Sequence, residues 1–178
     1  MPRLFTAIEV SNDVDRELNT LVPTTEQNVA QDTKHITLRF IGNVTEAEAT
    51  AIELELISVN VDPFALAVSG CQFFKSHGAK TIFVTNIMPS AALTDLHQLI
   101  TVVLLHRGIS VEERKYVPHI TVARIHRPSD VLIDSLLEKG KRVSTALSVT
   151  GFVLYCAEHD PMPKYVKRRE YIFTKPNT

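Results

Sequence analysis

The chain has 178 residues, 44% of them hydrophobic and 22% charged, and a formal net charge of −1. That composition is ordinary for a soluble globular protein with its own apolar core, and it excludes a protein that coats duplex nucleic acid through bulk positive charge. Any nucleic-acid partner must therefore be held by a local patch, through a short or single-stranded end. Two cysteines, Cys71 and Cys156, are too few for a disulfide scaffold, and neither belongs to a C-x-x-C pair; buried thiols in a reducing compartment are expected. The N-terminus shows no basic leader ahead of an apolar stretch, and the longest apolar run, Ile100–Leu105, is far short of the ~20 residues of a membrane span. The expectation is a cytoplasmic protein with no membrane partner, monomeric for want of an exposed heptad seam.

In chain order, Leu4–Val10 is an apolar run suited to a buried strand. Ser11 is placed to cap a helix through about Val22, closed by Pro23. Thr33–Ile41 returns to strand character before Gly42-Asn43. Thr45-Glu46-Ala47-Glu48 has the form of a capping box opening a helix to about Ser58. Phe64–Ser69 and Thr81–Ile87 read as strands, joined by a loop around Ser76–Lys80. Ser90 caps a helix carrying Leu93, Leu96, Ile100 and Leu104 at helical spacing, with Gly108 past its end. Lys115–Ile125 is a strand, Ser129 starts a helix ending at Gly140, and Leu147–Cys156 and Tyr165–Phe173 are two closing strands. The run of strand, helix, strand, helix occurs twice, which predicts an α+β fold of largely antiparallel sheet in two similar halves.

The most informative residues are His35-Ile36-Thr37-Leu38 and His119-Ile120-Thr121-Val122, each reading His, apolar, Thr, apolar. Side chains alternate across a strand, so each tetrapeptide projects an imidazole and a hydroxyl from one face and anchors two apolar side chains behind them. One such tetrapeptide more often marks a satisfied histidine at a strand end. Two copies in matching strand contexts are much harder to assign to coincidence. Facing each other, they suit a cyclic phosphodiester. One imidazole would take a proton from water, the other would protonate the departing ribose oxygen, and the threonines would hold the non-bridging oxygens.

With these motifs, RLFTAIEV, KHITLRFIGNV, PFALAVSG, ERKYVPHITVAR and the tail LYCAEHDPMPKYVKRREYIF, the chain resembles the 2H phosphoesterases over nearly its whole length. The branch it is most similar to is the RNA 2',3'-cyclic phosphodiesterases, also called 2'-5' RNA ligases. The resemblance implies one bilobal domain over residues 1–178, with two pseudo-symmetric lobes of antiparallel sheet, outer helices and a central cleft. It implies hydrolysis of a terminal 2',3'-cyclic phosphate, on RNA 3' ends or small cyclic nucleotides, to a 2'-phosphate without metal or cofactor. His35 would be the proton donor to the leaving oxygen and His119 the acceptor from water. Thr37 and Thr121 would hold the phosphate, and Arg124 would contact phosphate or the terminal nucleotide. Ligation to a 5'-hydroxyl would use the same residues. The rival from another class is a pocket that binds a nucleotide or RNA end without turnover. The family often carries tryptophan before the first motif and in the strand here reading TIFVTN; this chain has none.

Arg124 lies five residues after His119, an offset that turns it away from the cleft in an ideal strand; a bulge or strand end is required. Arg3, Lys34 and Arg39 are candidate cations near the cleft; Arg39 shares the face of His35 by parity, with surface solvation an equal alternative, and for Arg3 and Lys34 surface solvation is the first reading. Lys164, Lys167, Arg168, Arg169 and Lys175, interleaved with Tyr165, Tyr171 and Phe173, form either a guide for an RNA backbone or an edge strand protected by charge, with the balance toward the latter. His77, His97, His106, His126 and His159 have no partner at metal-ligand spacing, and His106 and His126 are expected at the surface.

Overall fold

The computed structural model describes residues 1–23, 34–75, 80–110, 115–158 and 164–174. Its strands are β1 (Arg3–Glu9), β2 (His35–Asn43), β3 (Phe64–Lys75), β4 (Lys80–Ile87), β5 (His119–His126), β6 (Ser144–Val149), β7 (Gly151–Glu158) and β8 (Lys164–Ile172). Its helices are α1 (Asn12–Asn19), α2 (Glu46–Glu55), α3 (Ala91–His106) and α4 (Asp130–Gly140). A 3₁₀ turn, Leu56–Ser58, extends α2 to the expected end.

All eight strands join one antiparallel sheet in the order β6-β3-β4-β5-β2-β1-β7-β8. The order is symmetric about its centre. The run β1-α1-β2-α2 corresponds to β4-α3-β5-α4, and β7 and β8 flank one half as β3 and β6 flank the other. The halves meet where β2 pairs β5 through Ile36 and Ile120, both fully buried. Thr150 alone separates β6 from β7, although these strands belong to opposite halves. The sheet must therefore curl until its flanks approach each other, as the twist of a long sheet allows.

The helices cover one face of the sheet. Val14 and Leu18 of α1, Ala49 and Ile52 of α2, Leu93, Leu96 and Ile100 of α3 and Leu136 of α4 pack there with Leu4, Ile8, Ile36, Leu38, Ile120 and Val122. The expected capping box of α2 is formed, with the Glu48 amide donating to Thr45 and the Glu48 carboxylate accepting from the Thr45 amide. Ser90 and Ser129 cap α3 and α4, each accepting from the backbone three residues on. Ser11 holds the N-cap position of α1 without a side-chain bond. The other face of β1 carries Phe5 and Ala7, which pack with Val153, Tyr155 and Tyr165 into a smaller aromatic cluster. That cluster borders the cleft.

Several sequence boundaries are corrected. The single strand read at Leu147–Cys156 is two strands, β6 and β7, broken at Thr150. Gly151 makes the close approach possible, since a Cβ there would stand 2.2 Å from the Tyr171 carbonyl oxygen. Strand β3 runs on past Ser69 to Lys75 through Gly70, whose φ of +69° sits at an irregularity in the β3–β4 pairing. Strand β5 begins at His119 rather than Lys115, and Thr33 lies outside the described residues.

Candidate active site

The antiparallel pairing of Ile36 with Ile120 decides where the motif side chains go. With both isoleucines in the core, His35 and Thr37 must leave β2 on the opposite face, as must His119 and Thr121 on β5. The register runs His35 toward Thr121 and Thr37 toward His119. The histidines are thus diagonal neighbours across the central strands, a relation that sets Cα positions roughly 7–8 Å apart. All four side chains, each half-buried, line one cavity of about 320 Å³.

Arg124 lines the same cavity. The bulge its offset required is present. Phe83 pairs Ala123 and Val84 pairs Thr121, so Val122 is the extra residue, and Val122 and Ala123 are consecutively buried. The same device occurs in the other half. Thr6 pairs Arg39 and Ala7 pairs Thr37, leaving Leu38 unopposed. Each motif strand therefore bulges three residues after its histidine, and the residue at offset five returns to the cleft. On β5 that residue is Arg124, on β2 it is Phe40. Simple parity at Arg39 is thereby overturned. Its guanidinium turns toward α3 and donates to Thr101 Oγ1 from Nε at 3.1 Å and from Nη2 at 2.7 Å.

The two imidazoles are held differently. His119 Nδ1 lies 2.8 Å from the Val117 carbonyl oxygen. A carbonyl can only accept, so Nδ1 carries the proton and Nε2 is left with the lone pair when the ring is neutral. Phe74 packs its ring edge-to-face on His119 at 4.9 Å. His35 sits among Phe5, Tyr165 and Tyr155, with ring centroids 5.3, 5.3 and 6.2 Å away. Behind this group the Tyr155 hydroxyl donates to Glu9 at 2.5 Å, and Lys167 donates to the other carboxylate oxygen at 2.6 Å. Burial, and then the bonded Glu9, hold the Tyr155 phenol well above its ordinary pKa, so it stays a donor.

Arg3, Phe5, Phe40, Ile82 and Tyr165 complete the working surface of the cavity. Arg3 is therefore more than a surface cation. Lys34 is neither a surface nor a cleft residue. It is 7% exposed and ties the start of β2 to α1 through Asp15, at 2.8 Å, and Asn19, at 2.6 Å. The basic C-terminal strand is the protected edge, since β8 is outermost, Lys167 pairs Glu9, and Arg168 bridges Glu46 and Glu53. Of its aromatics Tyr165 reaches the cleft, whereas Tyr171 and Phe173 are buried. Lys175, His77 and His159 lie outside the described residues, and His106 and His126 are exposed as expected. Both cysteines are free, and burial raises the Cys71 thiol. Among the described residues no group of three His, Cys, Asp or Glu side chains is placed to hold a metal ion.

A second cavity, of about 440 Å³, adjoins the first and shares Thr37, Phe40, Ile82 and His119 with it. Its other walls include Arg39, Phe74, His97, Lys115 and Tyr116. The His97 and Tyr116 rings stack at 4.0 Å, and burial together with Arg39 pushes the His97 pKa down to about 4. Neither cavity has an Asp or Glu among its described lining residues. In a chain of net charge −1 the two cavities are thus lined by cations without a carboxylate beside them, a local positive patch that suits a phosphate ligand.

The chain matches the model of the 2'-5' RNA ligase superfamily over residues 14–160. An RNA 2',3'-cyclic phosphodiesterase of Thermotoga maritima is 30% identical to it over 167 residues, covering 89% of this chain and 88% of that protein. A protein of the same name from Geobacillus stearothermophilus is 30% identical over 139 residues, 77% of this chain; the chain spans only 44% of that longer protein. Among solved structures, Escherichia coli LigT in its apo form matches with a TM-score of 0.74 at 20% identity, covering 98% of this chain and 99% of that one. A Thermus thermophilus protein matches with a TM-score of 0.72 at 20% identity, covering 98% and 100%. These structural likenesses establish the fold.

Proposed function

The chain belongs to the 2'-5' RNA ligase superfamily, and from that premise we propose that it is an RNA 2',3'-cyclic phosphodiesterase that opens terminal cyclic phosphates to 2'-phosphates. The observation that carries this reading is the convergence of His35, Thr37, His119, Thr121 and Arg124 on one cavity. A pocket built only to bind would have no need of paired imidazoles beside its phosphate donors.

In the proposed reaction the Thr37 and Thr121 hydroxyls and the Arg124 guanidinium hold the non-bridging oxygens of the cyclic phosphate. Water approaches phosphorus from the side of His119. With its Nδ1 proton held by the Val117 carbonyl, His119 accepts the water proton at Nε2. The new P–O bond forms as the bond from phosphorus to O3' breaks, and protonated His35 delivers its proton to O3'. The products are a 3'-hydroxyl and a 2'-phosphate. Charge on the non-bridging oxygens shifts during this exchange, so the donors that hold the ground state also stabilise the transition state. The ring group of Phe5, Phe40 and Tyr165 offers apolar faces to the terminal nucleoside beside the phosphate.

The whole chain, residues 1–178, acts in this reading as one bilobal unit, as a monomer in the cytoplasm, on RNA 3' ends or small cyclic nucleotides, with no metal or cofactor. In support, no helix among the described residues is long and apolar enough to cross a membrane. The test is an oligoribonucleotide ending in a 2',3'-cyclic phosphate, incubated in EDTA, with the product's phosphorylated hydroxyl identified by ³¹P NMR. Conversion to the 2'-phosphate is expected in the wild type. Full turnover by His35→Ala or His119→Ala would remove the mechanism.

A further inference from the structure

We propose that Glu9 is a positioning residue for the proton donor, a carboxylate behind the cleft wall that keeps His35 protonated and turned for its task. The proposal rests on the assignment of His35 as the acid, and it adds a residue that belongs to neither motif and does not line the cavity. In the β1–β2 register Glu9 is the partner of His35. Paired residues of neighbouring strands project from one face with Cβ atoms roughly 4.5–5.5 Å apart, so Glu9 leaves β1 beside the imidazole. Its carboxylate is fixed at both oxygens from two further strands, since Tyr155 of β7 donates at 2.5 Å and Lys167 of β8 at 2.6 Å. Tyr155 is 2% exposed and stays protonated, so its bond to Glu9 has a single direction. The Tyr155 ring in turn stacks on Phe5 at 5.2 Å, and both rings lie against His35.

An acid that must be cationic before it reacts is poorly served by the cleft itself. Arg3 of β1 and Arg124 of β5 line the cavity with His35 and His119, and no Asp or Glu is among its described lining residues. Lys34, next in the chain, is turned away to Asp15 and Asn19 of α1. From β8 come the Tyr165 ring, Lys167, and Glu170, which lies with Glu9 in a recess of about 310 Å³ behind the wall. Nearby cations disfavour an imidazolium and a nearby carboxylate favours it. Glu9 supplies the carboxylate at the pairing position next to the ring, and the half-exposed Lys167 moderates its charge. In the other half the partner of His119 is Asn86, whose side-chain oxygen accepts from Gln72 at 2.5 Å. No carboxylate occupies the matching position beside the base.

The experiment follows kcat/KM against pH for the full chain as wild type, Glu9→Gln, Lys167→Met and His35→Ala. Two substrates are compared, a mononucleoside 2',3'-cyclic phosphate and its analogue with sulfur in place of O3'. Attack of water on the analogue breaks a P–S bond, and the 3'-thiolate departs without a proton, since a thiol is far more acidic than a ribose hydroxyl. On the oxygen substrate Glu9→Gln should lower kcat/KM roughly tenfold above neutral pH and less in acid, because loss of a nearby opposite charge changes a protonation equilibrium by about that factor. Its alkaline limb should move to lower pH, and that of Lys167→Met, which leaves the carboxylate uncompensated, to higher pH. On the sulfur analogue both Glu9→Gln and His35→Ala should approach the wild-type rate. Equal loss by Glu9→Gln on the two substrates, with His35→Ala still rescued by sulfur, would overturn the proposal and leave Glu9 a scaffold residue. So would alkaline limbs that move the same way in Glu9→Gln and Lys167→Met, or that stay in place in both. Failure of sulfur to rescue His35→Ala would instead remove the acid assignment and the role of Glu9 with it, and absence of turnover in the wild type would remove the hydrolase reading itself.

Discussion

Replacing His119 by asparagine separates the proposed base from the scaffold that holds it. The asparagine amide nitrogen can take the place of Nδ1 and keep the bond to the Val117 carbonyl, which is 2.8 Å long in the native chain. Nothing on asparagine replaces Nε2. A positioned general base contributes typically ~10²–10⁴-fold, so kcat should fall by about 3–5.5 kcal/mol of barrier. Stability should hardly move, because the anchoring bond persists and a net hydrogen bond is itself worth only about 1 kcal/mol. His119→Ala also gives up the anchor, but Val117 is 48% exposed and water can re-solvate its carbonyl, so the two variants should melt within about 1 kcal/mol of each other. Single-turnover cleavage of a cyclic-phosphate oligonucleotide, beside thermal melts of both variants, makes the comparison. More than a tenth of wild-type kcat in His119→Asn would refute the assignment of the base, as would a loss confined to KM.

Three further outcomes follow from the packing. His97 is held down to about 4 from an ordinary value of 6.5, by burial first and Arg39 second. Between those pH values the unfolded chain binds a proton that the folded chain refuses, so this residue's contribution to stability falls as pH drops from about 6.5 to 4; melting temperature measured against pH should show a shallower acid slope in His97→Phe. Arg168→Met strips Glu53, whose side chain is 19% exposed, of its guanidinium partner and should cost about 2 kcal/mol, a drop in Tm of roughly 4–8 °C that Glu53→Gln should partly restore. Gly140→Ala would set a Cβ 2.5 Å from Cys71 Cβ, where α4 meets β3, and overpacking of that kind costs about 1–3 kcal/mol, readable as a shift of the urea midpoint.

The quartet was legible because period-two alternation is a rigid rule. Once Ile36 and Ile120 are assigned to the core, the imidazoles and hydroxyls have only one face left. Helix α3 was legible for the parallel reason, since Leu93, Leu96, Ile100 and Leu104 repeat at helical spacing and all are buried. Parity failed just past the motifs, where Leu38 and Val122 are inserted without a partner. A bulge leaves no residue signature of its own. The only clue was the awkward offset of Arg124, and the same offset leads from His35 to Phe40. Lys34 was misplaced because a lone lysine before a strand reads as solvated; Asp15 and Asn19, which hold it, are 19 and 15 residues away in the chain. The split of Leu147–Cys156 was hidden because β6 and β7 are both buried-faced, and the exchange of β3 for β1 as partner is purely tertiary.

Duplication alone would yield two equivalent histidines, and equivalent histidines cannot divide the work of acid and base. The fold breaks the equivalence at corresponding positions. Both motif strands bulge at the third residue and return a side chain to the cleft at the fifth, but β5 returns the cation Arg124 and β2 the apolar ring of Phe40. A fixed cation in the cleft can serve a phosphate, which an apolar ring cannot. Across from His35 the pairing residue is Glu9, across from His119 it is the uncharged Asn86. The Val117 carbonyl then fixes which nitrogen of His119 can accept. In the proposed mechanism the residues by which the halves differ set the direction of proton flow, and exchanging Arg124 and Phe40 should cripple turnover even though every motif residue would remain in place.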